Sequence, residues 1–171
     1  MDNVLEILKK NGVEIENADL RICESDGYIY LYLHGDSAIL DGDFGDAYIY
    51  LYNNAKIKGG TFNGHVDLYD ESQIEGGIFN KWVNLYDDSN IEGGTFNDNV
   101  YLSDSSYISN GIFNSSIHLS DYSKIINGDF KNCCKVLLYT DWEYDSDTLK
   151  LLHKNGVKYE NRKYESEEMA G

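Results

Sequence analysis

Val66-Asp67-Leu68-Tyr69-Asp70-Glu71-Ser72-Gln73-Ile74-Glu75-Gly76-Gly77-Ile78-Phe79-Asn80-Lys81-Trp82 decides the fold, because the chain keeps rewriting it. The same order of residue types restarts at Val83, Val100 and Ile117, each 17 residues after the last, and fades at Cys134. Upstream, Ile49 opens the preceding copy and Leu31 opens an earlier one that is a residue longer. Self-similarity at a short fixed period marks a repeat architecture, in which each unit buries its apolar side against its neighbours.

Positions 1, 3, 7, 9, 12 and 14 of a copy are apolar or small: Val66, Leu68, Ser72, Ile74, Gly77 and Phe79, then Val83, Leu85, Ser89, Ile91, Gly94 and Phe96. They form three pairs with a single residue inside each. That spacing suits a strand with one buried face, since successive side chains point to opposite sides. Three short strands per copy make one coil, and stacked coils set Phe on Phe, Ile on Ile and Leu on Leu. The expected fold is therefore all-β: a three-sided parallel β-solenoid of about six to seven coils over residues 31–138, its handedness not set by the pattern. At a strand spacing of about 4.8 Å, six coils give a rod of about 29 Å. A helical reading fails, because two glycines per copy and a period of two do not make an amphipathic helix pair.

The remaining recurrent letters belong to the bends. Gly59-Gly60, Gly76-Gly77 and Gly93-Gly94 fall between the second and third strands, where the chain turns tightly against its own interior. Asn63, Asn80, Asn97 and Asn114 follow the phenylalanine and read as left-handed corner residues, a conformation that asparagine tolerates. The small residues Ala55, Ser72, Ser89, Ser106 and Ser123 let another corner close without a bulky side chain in the core.

The pattern resembles two solenoid groups, the hexapeptide left-handed β-helix and the short-coil bactofilin-like β-helix. The Ser-x-Ile triplets look like the small-x-aliphatic unit of the hexapeptide repeat, although Ile74 and Phe79 stand five residues apart rather than six. The resemblance spans about residues 31–138 and implies architecture alone.

Composition narrows the function. With 30 Asp+Glu against 14 Lys+Arg, the formal charge is −16. Such a chain repels nucleic acid and anionic membrane and attracts basic partners. No apolar run approaches the roughly 20 residues of a membrane span, and Met1, Asp2 and Glu6 do not open a secretory signal, so a cytoplasmic location is expected. Three cysteines, Cys23 and the pair Cys133-Cys134, form no disulfide framework. Residues 1–30 and 139–171 read as terminal caps. A helix is expected over residues 3–11, stopped by Gly12, and another at Thr148, Leu149, Leu151 and Leu152 before Asn155-Gly156-Val157, with the tail frayed after about Lys163.

No catalytic, metal or cofactor site is expected. His34, His65, His118 and His153 occupy four different registers, so the repeat brings no two of them to a shared ligand. The glycine pairs lack the Lys-Ser/Thr of a phosphate loop. An acyltransferase of the hexapeptide type needs a loop excursion that the repeats lack, and coils this regular are expected to leave no cleft for sugar cleavage.

The outward side of the first strand is where residue types depart from background. Tyr32, Tyr50, Tyr52, Tyr69, Tyr86 and Tyr101 fill its solvent-side positions, and the next corner carries Asp70-Glu71, Asp87-Asp88, Asp104 and Asp121. The plain explanation is that tyrosine favours strands and aspartate favours turns. The functional one is a binding edge in which Tyr50, Tyr52, Tyr69, Tyr86 and Tyr101 form an aromatic ladder beside a column of carboxylates. Its corner side chains are expected to be solvated and of little structural weight. Such an edge suits a basic, nucleic-acid-binding protein and, in its sharpest form, mimics nucleic acid, a principle that resembles the acidic pentapeptide-repeat solenoids. Small inhibitors of restriction or CRISPR systems are one setting for it. The alternative is a scaffold that self-assembles as a bactofilin does, and the Thr61, Ile78, Thr95, Ile112 stripe offers a face for a homodimer.

Overall fold

Each copy of the repeat closes one coil, and its three strands enter three different sheets. The computed structural model describes residues 10, 12, 14–16, 19–139 and 144–162. The first face is a nine-stranded sheet running from Asp19–Ser25 and Tyr28–His34 through Tyr48–Leu51, Val66–Leu68, Val83–Leu85, Val100–Leu102 and Ile117–Ser120 to Val136–Tyr139 and Tyr159–Arg162. The second face is seven-stranded, with Gln73–Ile74 and Asn90–Ile91 at its middle. The third contains Thr61–Phe62, Ile78–Phe79, Thr95–Phe96 and Ile112–Phe113. Within the repeats the pairing is parallel and in register, Val66 on Val83 on Val100 and Phe62 on Phe79 on Phe96. This is the solenoid that the 17-residue period predicts.

The interior consists of ladders. Phe44, Phe62, Phe79, Phe96, Phe113 and Phe130 stack with centroids 4.8 to 5.5 Å apart and planes within 13°. Isoleucines from Ile39 to Ile125 form a second column, and Leu33, Leu51, Leu68, Leu85, Leu102 and Leu119 a third, all buried. Gly77 shows why glycine recurs beneath the rings. Its φ is +124°, and a Cβ there would stand 3.1 Å from the Phe62 ring and 3.2 Å from the Phe79 ring. Substitution therefore meets backbone strain and the phenylalanine stack together.

Two corner assignments change. Asn63, Asn80, Asn97 and Asn114 are not left-handed. They form an amide ladder in which each Nδ2 donates to the Oδ1 one coil back, at 2.7 Å for Asn80 to Asn63, Asn97 to Asn80 and Asn114 to Asn97. The left-handed residues are instead Asn53, Asp70, Asp87, Asp104 and Asp121, with φ between 55° and 58°. Asparagine is retained after phenylalanine because its amide both donates and accepts along the rod, so a column of identical residues is self-satisfying.

Register slips only at the ends of the array. The copy opened by Leu31 carries its extra residue between Phe44 and Ile49, and Leu31 still pairs with Ile49. At the other end Ile117 pairs with Val136 rather than Cys134, so two further residues are looped out before the last coil.

The array ends in segments that depart from the repeat. Asp19–Ser25 lies antiparallel on Tyr28–His34, and Glu14–Glu16 lies antiparallel on Ala38–Asp41, closing two of the three sheets at the amino-terminal end. Of the helix expected over residues 3–11, every residue but Lys10 lies outside the described residues, as does the expected frayed tail. The carboxy-terminal helix is present: α1 (Ser146–Lys154) starts at the N-cap Asp145, whose carboxylate accepts the Thr148 N–H at 2.7 Å. Leu152 and Thr148 are buried, and the Thr148 hydroxyl accepts the Ile125 N–H at 3.3 Å, closing the last rung of the second face. Tyr144 seals the adjoining corner, its hydroxyl bonded to the Ser123 carbonyl. The chain then returns as Tyr159–Arg162, parallel to Val136–Tyr139.

Candidate interaction surface

The acidic corner follows from its turn. Tyr69-Asp70-Glu71-Ser72 is closed by the Ser72 N–H donating to the Tyr69 carbonyl at 3.2 Å, and its first central residue is the left-handed Asp70. That conformation costs most side chains about 1–2 kcal/mol, and aspartate is among the few that tolerate it. It also turns the Asp70 N–H along the rod, where the Asp87 carboxylate accepts it at 3.1 Å. The Asp87 N–H reaches Asp104 at 3.2 Å, and the Asn53 N–H reaches Asp70 at 2.9 Å. Asp70, Asp87, Asp104 and Asp121 are thus structural as well as charged, contrary to the expectation that the corner acids carry little structural weight. Glu71 and Asp88, second in their turns, use only their backbone N–H groups, which donate to Asn53 and Asp70. Their carboxylates are exposed. Among the described residues, no ion pair involves Asp70, Glu71, Asp87, Asp88 or Asp104.

The aromatic residues of the first face form three columns rather than one. His34, Tyr52, Tyr69 and Tyr86 stack at 4.8, 5.0 and 4.9 Å beside the acidic corner. The middle column holds Tyr32 on Tyr50 at 4.9 Å, then Asp67 and Asn84, then Tyr101 on His118 at 4.3 Å. The outermost holds Tyr30, Tyr48, His65 and Trp82, with centroids 5.2, 4.9 and 4.4 Å apart. Tyr50 and Tyr52 therefore belong to different stacks, and so do Tyr86 and Tyr101. The residues that sequence reasoning missed are His34, Tyr30, Tyr48, His65 and Trp82. Except for His34, which stands at the fourth position of its copy, their signal was available, since the position just before the copy carries Tyr30, Tyr48, His65 and Trp82 in four successive copies. In the column beside the corner the ring planes lie within 11° of one another, so its surface consists of ring edges, except where the stack ends, whereas His65 is tilted by 45° to Tyr48 and 51° to Trp82.

Burial pushes the titratable groups of this face toward their neutral forms. Burial, followed by the nearby Asp67 carboxylate, pushes the Tyr50 and Tyr69 phenols up to about 12. Asp67 accepts the Asn84 amide at 2.6 Å, yet burial outweighs that bond and raises its pKa. Burial lowers His65 and His118, which favours the neutral imidazole.

One stack ends in a cavity. Beyond Tyr86 the same column holds Ser103 and Ser120 before Tyr139, and the missing rings leave an open cavity of about 270 Å³ bounded by Tyr86, Tyr101, His118 and Tyr139. The expectation of a surface without a cleft is thereby corrected. The groove arises from two small side chains in a repeat that otherwise carries tyrosine.

Among the described residues, no group of three His, Cys, Asp or Glu stands where it could hold a metal ion, and no helix is long and apolar enough to cross a membrane. The fold and surface define a repeat protein of the β-solenoid class with an acidic corner beside aromatic columns. Comparison with protein-family models, curated proteins and solved structures finds no match.

Proposed function

We propose that this solenoid is a non-catalytic binding protein that presents its acidic corner and the adjoining tyrosine column to a basic protein, and that it does so by occupying a nucleic-acid site. The supporting observation is the run of exposed corner carboxylates, from Asp70 through Asp104, without an ion pair among the described residues. Where two acids share a turn, at Asp70-Glu71 and Asp87-Asp88, the coil spacing gives one negative charge per about 2.4 Å of rod. Duplex DNA carries one per about 1.7 Å of axis and a single strand one per about 3.4 Å. A groove that holds a phosphate backbone would meet a similar charge density here, on a rigid rod that loses little entropy on binding.

A self-assembling scaffold is less well supported, because antiparallel strands and helix α1 cover the ends through which coils would add. The test is affinity capture at low and raised salt. Glu71→Lys with Asp88→Lys reverses charge without touching the left-handed aspartates. The double variant should lose the partner while keeping the wild-type melting temperature. Duplex DNA or RNA should compete with the wild type for the same partner. Undiminished capture by the double variant, or no competition by either nucleic acid, overturns the reading.

A further inference from the structure

The lapse in the tyrosine column has the dimensions of a ring. Along His34, Tyr52, Tyr69 and Tyr86, each coil step of 4.8 to 5.0 Å is filled by one aromatic side chain. At the next two steps the chain supplies Ser103 and Ser120, both half-buried. One face of the Tyr86 ring is covered by Tyr69, and the other opens into the cavity. Tyr101 and His118, with ring centroids 4.3 Å apart, make the side wall, and Tyr139, whose ring lies 5.9 Å from that of His118, closes the far end. The serines do not need an incoming hydrogen-bond acceptor: the Ser120 hydroxyl already donates to the Leu102 carbonyl at 3.0 Å, and that of Ser103 donates to the Asp104 carboxylate at 3.1 Å. An apolar cavity of about 150 Å³ holds benzene, so 270 Å³ accommodates a phenol or an indole.

Charge at the rim selects among rings. Asp87, Asp104 and Asp121 directly follow Tyr86, Ser103 and Ser120, so the acidic corner runs alongside the column in which the slot lies. Arg162 and Lys135 are, in that order behind burial, the causes of the lowered His118 pKa, and they belong to the far end of the face.

We propose that this slot receives the aromatic side chain of a basic segment of the partner protein, its ring stacked on Tyr86 in place of the missing rung and its flanking cations set against Asp87, Asp104 and Asp121. The inference rests on the reading of the corner as a site for a basic protein, and it names the anchor of that contact. Buried aromatic anchors surrounded by polar rims dominate protein interfaces of this kind.

The test uses the full isotope-labelled chain and three capped tripeptide amides, Lys-Tyr-Lys, Lys-Ala-Lys and Glu-Tyr-Glu, followed through the backbone amide resonances. Lys-Tyr-Lys should shift the Ser103 and Ser120 amides and bind at least tenfold more tightly than either of the others. Ser103→Tyr restores the rung, and should abolish those shifts while raising the melting temperature. Tyr86→Leu keeps an apolar floor but removes the flat face, and should weaken binding at least tenfold. Equal shifts from Lys-Ala-Lys, confined to the corner amides, overturn the slot and leave the acidic corner as the binding site. Shifts by Lys-Tyr-Lys that survive Ser103→Tyr overturn it as well. If Lys-Tyr-Lys fills the slot while Glu71→Lys with Asp88→Lys still captures the partner, the slot stands and the mimic reading falls.

Discussion

The backbone N–H of Asp70 donates to the carboxylate of Asp87, one coil away, at 3.1 Å. The contact joins two left-handed turns and gives an aspartate in this column three tasks: adopting a conformation that most side chains resist, accepting its neighbour's N–H, and holding charge at the surface. These tasks can be separated by substitution. Asp87→Asn keeps the tolerance and an acceptor and should cost little, whereas Asp87→Ala loses both and should destabilise by about 1–2 kcal/mol. Chemical denaturation of the two variants measures the difference. Equal stability would mean that the corner hydrogen bond carries no weight.

The phenylalanine stack sets the largest single-residue effect. Phe79→Ala removes one ring between Phe62 and Phe96 and should cost about 3–5 kcal/mol. Asn80→Ala interrupts the amide ladder at a half-buried position and should cost less, about 1–2 kcal/mol. The ordering of the two melting temperatures tests the assignment of ring to core and amide to edge.

Asp67 makes the fold slightly pH-sensitive in the acid range. Because its folded pKa is raised above the ordinary 3.8, chiefly by burial, its contribution is fully favourable below that value and is lost as pH rises through the raised one. Asp67→Asn should therefore raise the melting temperature at neutral pH, and the gain should vanish below about pH 3.8. A gain that persists unchanged into acid would assign the effect to packing rather than to charge.

At the alkaline end the tyrosines take over. Tyr50 and Tyr69 are held neutral to about 12 against an ordinary 10.0, so the contribution of these two phenols is fully present below pH 10 and is lost as pH rises through about 12. Phenolate absorbance should show a late fraction of the 15 tyrosines ionising together with loss of the circular dichroism of the sheets. Ionisation of all of them near pH 10, with the sheets intact, would contradict the burial described for this face.

The coils were legible because a period of two inside a period of 17 admits one arrangement of three strands, and the buried sets Val66, Leu68, Ser72, Ile74 and Phe79 are the ones the pattern names. The corners were harder to read, for a physical reason. Asparagine and aspartate both tolerate the left-handed region, and nothing in the one-letter pattern says that Asn80 spends its side chain on Asn63 and Asn97 while Asp70 takes the positive φ. The acids were visible as a column, but their bonds to N–H groups one coil back depend on that φ. The cavity was also written in the sequence, as serine where Tyr69 and Tyr86 have their counterparts. A vacancy becomes informative only once the stacked neighbours are in place.

Because Val66 pairs with Val83 and Val83 with Val100 in one register, a copy of the repeat is interchangeable text. Excising residues 83–99 would join Trp82 to Val100, bring Phe79 onto Phe113, Asp70 onto Asp104 and Tyr69 onto Ser103, and so shorten the molecule by one step with every interior column still continuous. The distance from the amino-terminal closure to the slot can thus be altered in increments of one coil without redesigning either. The chain is built as a graduated ruler on which the position of a mark is independent of the length of the scale.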